Sequence, residues 1–410
     1  MKLFRTILSV MTIASIMATG CNNIEKTTIT NIDTETTDEK EENHGKDDYK
    51  YISEYEEEKL DLENYSLDYV FETDAQTFFL NGECTKTENG YYVWGRGEYC
   101  SKLCFIDSRM LEMVPVCNRP DCLHTDSDCN AHYNDLLVPG EYYDHNYIQY
   151  YDGYVYIIGT DGEYENLYRI SPDGTTCEKY MSLYRVDLSP EDKDSTNPSY
   201  TTPSVWIHRG YVYYIDNKEK YPKLRRMKLG SDEVEVVYET GGEGAVLFRM
   251  MPYGDYLFFQ TGNIADADTI DCGIMAYNIN TGEVKLVKKN IINSYGFVNG
   301  RLYYYKDNKE VRVYSLEENT DSQLCEIEGL IVFFNEKYIY VCDGNIDTVT
   351  VYDYDGKLLG SIKDEYLVEC WFGDDKYVLS NYSPSIGVAT TVIVSVDDII
   401  AGKGEWKILE

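Results

Sequence analysis

Apolar positions recur along this chain as short aromatic and β-branched runs, each entered through a turn. Seven such units are present: Asn89-Gly90-Tyr91-Tyr92-Val93-Trp94, Asp152-Gly153-Tyr154-Val155-Tyr156-Ile157, Arg209-Gly210-Tyr211-Val212-Tyr213-Tyr214, Gly254-Asp255-Tyr256-Leu257-Phe258-Phe259, Asn299-Gly300-Arg301-Leu302-Tyr303-Tyr304, Lys337-Tyr338-Ile339-Tyr340-Val341 and Lys376-Tyr377-Val378-Leu379. Counted from Tyr91, Tyr154, Tyr211, Tyr256, Arg301, Tyr338 and Tyr377, the intervals are 37 to 63 residues. The runs are apolar on both faces, which predicts inner strands sandwiched between neighbours, since a half-exposed sheet would alternate.

Each run is followed by a second strand-like stretch ending in a turn, such as Leu167-Tyr168-Arg169-Ile170 before Pro172-Asp173-Gly174 or Val349-Thr350-Val351-Tyr352 before Asp355-Gly356. The Asp-Gly pairs are hairpin signals because glycine takes the positive φ the turn requires. A third stretch follows, as at Lys357 to Ile362, and a short segment ahead of each run, such as Val205-Trp206-Ile207 or Ile331-Val332-Phe333-Phe334, supplies a fourth. Four antiparallel strands repeated seven times predict an all-β chain folded as a β-propeller with seven four-stranded blades over residues 61–410. A double sandwich or two smaller propellers are the competing arrangements. Ring closure is expected to borrow a strand, with Leu67-Asp68-Tyr69-Val70-Phe71 or Thr77-Phe78-Phe79-Leu80 pairing with Glu405-Trp406-Lys407-Ile408-Leu409.

The N-terminus reads differently. Lys2 and Arg5 precede an uncharged run from Thr6 to Met17, then the small residues Ala18, Thr19 and Gly20 stand before Cys21. The run is too short to span a bilayer of about 30 Å, so residues 1–20 are expected to be a removable signal peptide. Ala18-Thr19-Gly20-Cys21 resembles a bacterial lipobox, which implies a lipid on Cys21 and anchoring at the outer face of a cell membrane; leucine is usual where Ala18 stands. Residues 22–60 hold 13 Asp or Glu against 5 Lys and no Trp, Phe or Val. With so little to bury, residues 21–60 are expected to be a disordered acidic tether.

A formal net charge of −35 argues against nucleic acid or an anionic lipid surface as partner, both of which would repel it. Asp266, Asp268 and Asp271 have acidic-loop spacing, yet no glycine stands where a calcium loop needs its turn. They read as a solvated loop.

The densest chemistry lies in an insertion at 117–146. Cys117, Cys122, His124 and Cys129 fall within 13 residues. Three sulfurs and an imidazole suit a closed structural zinc site, although the spacing departs from the common Cys-x-x-Cys pairs. Export favours a disulfide-stapled loop instead, with Cys84, Cys100 or Cys104 as further partners, and buried thiols are the third option. Eleven cysteines remain after Cys21, an odd number for a fully paired monomer. Cys177, Cys272, Cys325, Cys342 and Cys370 read as small core residues.

The segment Cys117-Asn118-Arg119-Pro120-Asp121-Cys122-Leu123-His124, with the repeats, resembles TolB-like and lipoprotein-receptor-like propellers of exported proteins in anaerobic Gram-positive bacteria. The resemblance implies the architecture and is nearly silent about activity. No nucleophile elbow, zinc-protease helix, Walker loop or dinucleotide fingerprint is present in the sequence. His132 or His145 with Asp126 or Asp128 is the one acid/base pairing the spacing allows, and surface histidines are the simpler reading. Of 41 tyrosines, those in expected loops (Tyr133, Tyr142, Tyr143, Tyr180, Tyr200, Tyr221 and Tyr382) are candidates for stacking on a sugar or peptide. The sequence therefore points to a non-catalytic surface module for a glycan, peptide or envelope protein, with a propeller-type polysaccharide lyase or glycosidase as the alternative.

Overall fold

The computed structural model describes residues 52–409 except 72, 76–83, 97–100, 125–128, 132–146, 162, 186–204, 217–220, 242–244, 267–268, 292–294, 307–308, 328–330, 344–347, 364–370 and 383–389. Residues 1–51, with the expected signal, Cys21 and most of the tether, lie outside the described residues, as does residue 410.

Seven four-stranded antiparallel sheets follow one another along the chain, each in simple sequence order. Blade 1 consists of Cys84–Lys86, Gly90–Arg96, Ser101–Asp107 and Met113–Pro115. Blade 2 begins at Ile148–Tyr151, blade 3 at Val205–His208, blade 4 at Ala245–Tyr253, blade 5 at Tyr295–Val298, blade 6 at Ile331–Phe334 and blade 7 at Trp371–Gly373. The seven aromatic runs become the second strands, for example Tyr154–Thr160 in blade 2 and Arg301–Lys306 in blade 5. First strands of neighbouring blades touch around the centre. Fourth strands face out, as in Val234–Glu239 of blade 3, where Val234 and Val236 are exposed.

The two-sided apolarity of the second strands now has a cause. Side chains alternate across a strand, so successive residues enter different seams. Tyr91 and Val93 pack against blade 7, whereas Tyr92 and Trp94 pack against blade 2. Likewise Leu302 and Tyr304 meet blade 4, and Tyr303 and Tyr305 meet blade 6. Seven buried clusters result, one between each pair of adjacent blades. The core is thus a ring of sheet-on-sheet seams. Tight turns link first and second strands: Asp152-Gly153 (φ 46° and 79°) and Asn299-Gly300 (φ 50° and 71°) have the doubly left-handed geometry of hairpin turns.

Closure corrects one expectation. The last strand, Lys407–Leu409, completes blade 7 from within that blade, and among the described residues no strand from the chain's start joins it. Residues 77–80 lie outside the described residues. Blades 7 and 1 instead meet face to face through Leu379, Ile393 and Leu409 against Val93, Cys104 and Ile106. The Tyr91 hydroxyl donates to Asp374 at 2.7 Å, and Lys86 pairs with the same carboxylate at 2.8 Å. The borrowed strand is not needed because a five-residue helix, α1 (Val396–Ile400), carries the chain out to the edge that its own final strand then fills.

Residues 67–71, expected at the closing seam, belong to an irregular strap that runs from 52 to 75 across blades 3, 4 and 5. Ile52 is buried in the seam of blades 3 and 4, and Leu60 in that of blades 4 and 5. The Glu58 amide donates to the Leu286 carbonyl at 2.8 Å, Asp255 to Ser66 at 2.8 Å and Arg209 to Thr73 at 2.8 Å. Residues 52–60, assigned to the tether by composition, are therefore packed on the ring. Among the described residues no helix is long and apolar enough to cross a membrane.

Candidate functional site

The cysteine-histidine quartet forms at the root of the loop that leaves blade 1. Both main-chain groups of Leu103, in the third strand, are used there: its amide donates to the Ala131 carbonyl at 2.9 Å and its carbonyl accepts from Val116 at 2.9 Å. The two ends of the loop are thereby held at one rung of the sheet, with Cys117 next to Val116 and Cys129 two residues before Ala131. His124 takes a left-handed conformation, φ 55°, which turns the chain back. The donor atoms of Cys117, Cys122, His124 and Cys129 all lie within 4.8 Å of one another. A tetrahedral zinc site with bonds of about 2.0–2.3 Å has edges of about 3.5–3.8 Å, so small side-chain rotations close the set.

Its electrostatics are compatible with a metal. Cys117, Cys122 and Cys129 carry no disulfide, so the stapled-loop reading is not the arrangement observed for these three. Burial pushes the Cys122 thiol up, but hydrogen bonds from the His124 amide and from Arg119 Nη2, the latter at 3.0 Å, outweigh it and hold the group below its ordinary value. Burial drives Cys129 the other way, to about 12, despite a contact of 3.4 Å from the Ala131 amide. His124 is lowered by burial and by nearby Lys102 and Arg119, and its Nδ1 lies 3.3 Å from Cys129 Sγ. A neutral imidazole, a thiol made more acidic by its hydrogen bonds and a buried thiol that a cation would deprotonate make a coherent donor set.

A second polar centre fixes the strap. Asp74 is 1% exposed and receives Arg209 Nε at 2.8 Å and Nη2 at 3.1 Å, while Arg209 Nη1 reaches Asp255. His208, wholly buried, accepts from the Ala75 amide at Nδ1 (3.2 Å), and its Nε2 lies 2.8 Å from the Gly254 carbonyl, to which it donates. Burial lowers this histidine to about 4, outweighing the attraction of Asp74. The ring is therefore neutral at pH 7.

Between the strap and the turns of blades 4, 5 and 6 lies a cavity of about 380 Å³, bordered by Asp68, Tyr69, Tyr253, Asn299, Asn335 and Glu336. Tyr253 stacks on Phe297 at 5.5 Å and accepts from the Gly300 amide at 3.5 Å. Burial raises its hydroxyl, and the negative charges of Glu336 and Asp68 add to the shift. Polar groups on a rigid aromatic floor can bind an extended polar ligand.

Of the loop tyrosines named from sequence, those among the described residues do not border this cavity. Tyr180 packs under the Arg169 guanidinium at 4.3 Å and beside Tyr156, Tyr221 is half-buried, and Tyr382 ends the second strand of blade 7. Tyr133, Tyr142, Tyr143, Tyr200, His132, His145, Asp126, Asp128 and Asp268 lie outside the described residues. Asp271 accepts from the Ser53 amide at 2.9 Å, which commits it to the strap. Tyr253, Tyr69 and the Arg209 network were missed because nothing in their spacing distinguishes them from core and surface positions.

The chain is a seven-bladed β-propeller carrying a Cys₃His cluster on its rim. Its sequence matches no known family, and no curated protein matches it in sequence. Solved structures similar in shape include an oligogalacturonate lyase in complex with manganese (11% identity, TM-score 0.46, covering 75% of this chain and 93% of the other). TolB from Acinetobacter baumannii is another (13%, 0.40, 80% and 78%), as is the computationally designed protein Ika8 (12%, 0.41, 78% and 96%). At such identities the likeness concerns fold alone, and the blade assignment stands on the chain's own strand order.

Proposed function

We propose that this chain is an exported lipoprotein, anchored through Cys21, whose propeller is a non-catalytic module that binds a glycan, peptide or envelope protein, with structural zinc at Cys117, Cys122, His124 and Cys129. The observation that carries the binding assignment is the cavity between the strap and blades 4–6, where Tyr253, Asn299 and the carboxylates of Asp68 and Glu336 converge on a rigid floor. The lipobox-like Ala18-Thr19-Gly20-Cys21 supports the anchor. The compact donor set and lack of a disulfide among its cysteines support the ion. Acidic composition suits an aqueous, cation-rich exterior.

The test uses the Cys21→Ser chain, which this reading expects in the soluble rather than the membrane fraction. Arrayed glycans and peptides are presented to it, and product release is followed on every hit. Binding without turnover, weakened at least about tenfold by Tyr253→Ala, supports the module. Turnover, or binding unaffected by that change, overturns it. Retention of the serine variant on membranes overturns the anchor.

A further inference from the structure

The Cys₃His cluster sits where two blades meet, and its neighbours belong to both. On one side Val116 and Ala131, adjoining the first and last ligands, are hydrogen-bonded to Leu103 of blade 1. On the other, Asn130 Nδ2, one residue beyond Cys129, donates to the Gly174 carbonyl of blade 2 at 2.8 Å. Gly174 is the tip of the turn joining the third and fourth strands of that blade, Tyr164–Ile170 and Cys177–Arg185. It approaches so closely that a Cβ there would stand 2.5 Å from the carbonyl of Val116. The neighbouring Pro172 carbonyl accepts from the Tyr92 hydroxyl of blade 1 at 3.1 Å. The turn of blade 2 thus docks on a surface made by the two ends of the metal loop.

From this geometry we infer that the ion is an interblade staple: by fixing Cys117 and Cys129 together it shapes the platform of Val116, Asn130 and Ala131 on which the Ser171–Thr176 turn of blade 2 rests. The inference rests on the zinc assignment and adds the ion's mechanical role. Without the ion, the described residues tie the loop's two ends through the Leu103 rung and through weak contacts of Cys129 with His124 and with the Cys117 and Cys122 thiols. The apolar seam below, with Leu103, Val116, Ile157 and Ile170, keeps the blades together. Metal loss should therefore loosen the rim of this one seam and leave the ring intact. That locality separates a staple from a general folding ion.

The experiment is hydrogen exchange on the full chain, zinc-loaded, chelator-stripped and zinc-restored, with cobalt substitution to report thiolate ligation by its visible spectrum. On stripping, the amides of Leu103 and Val116 and those of the 171–176 turn are expected to exchange about tenfold faster or more, while amides of blade 4 such as Leu257 change less than about twofold. Zinc restores protection. Asn130→Ala should leave the cobalt spectrum unchanged and speed exchange in the blade 2 turn alone. If the chain binds neither zinc nor cobalt, the zinc assignment falls and the staple with it. If metal binds but protection at Leu103, Val116 and the turn stays the same, or every blade loosens equally, the staple is overturned and the zinc site stands.

Discussion

Two parts of the ring are braced from outside the blades, and they are braced in opposite ways. Over blades 3, 4 and 5 the strap acts along 24 residues, with apolar pegs at Ile52 and Leu60 and an ion-pair knot of Asp74, Arg209 and Asp255. Between blades 1 and 2 the proposed brace is a point, four donor atoms within 4.8 Å of one another. The strap is distributed, so each contact is modest and its position is set by their sum. The cysteine-histidine loop is focal, and on the zinc proposal its geometry depends on one constellation. Long segments with scattered apolar residues can dock by accumulation; a short polar loop needs a strong local bond.

The strap's weak point should be its knot. Arg209→Ala leaves Asp74 buried without its partner and is expected to cost about 3–5 kcal/mol in urea unfolding, with cleavage by protease appearing first within 52–75. A loss below about 1 kcal/mol would show that the strap holds by its apolar pegs alone. Acid provides a second probe of the same region. Histidine titrates near 6.5 when unfolded, whereas His208 in the folded chain is held down to about 4 by burial. The unfolded state binds the extra proton between these values, so stability is full above about 6.5 and falls by roughly 3 kcal/mol as pH drops to 4. His208→Gln should flatten that part of the pH–stability curve; an unchanged slope would assign the acid sensitivity to other groups.

On the focal side, Gly174→Ala combines a left-handed φ of 69° with a clash against Val116, and about 2 kcal/mol is expected. Gly153→Ala, with φ 79° and open space around it, is the control and should cost about 1 kcal/mol. Equal losses would mean that the close docking of blade 2 on the metal loop contributes nothing to stability. The smallest effect belongs to a seam with neither brace, that of blades 7 and 1. Tyr91→Phe removes the hydroxyl that donates to Asp374 but leaves Lys86 on that carboxylate, for about 1 kcal/mol in thermal unfolding.

The same contrast explains what could be read from residues alone. Seven blades were legible because each second strand is buried on both faces and is introduced by a turn, a local pattern independent of where the strand goes. The quartet was legible because its four donors are close in sequence, although spacing could not separate zinc from disulfide; the third dimension adds that His124 stands with all three sulfurs, a set that could hold a metal. The strap was not legible. Ile52, Leu60 and Leu67 follow no period, and their partners, such as Leu286 and Gly254, lie about 190 to 230 residues away. The cavity shares that fate, since Asp68, Tyr253 and Glu336 meet only through the ring. Closure was misjudged for a related reason: the short final strand resembles a leftover edge until the helix before it is seen to deliver it to blade 7.

That self-contained closure bears on how the molecule comes into being. Every blade is complete once its own four strands have been made, and none of the described strands must wait for a partner from the far end of the chain. Blades can accordingly form one after another as the polypeptide emerges, each templating the next through its apolar face, with unpaired edges exposed only briefly. The last step is then the docking of blade 7 on blade 1, after the strap has settled onto blades it precedes in synthesis. A chain halted after blade 5 should already contain five finished sheets, its strap in place and two faces still sticky, those of blades 1 and 5.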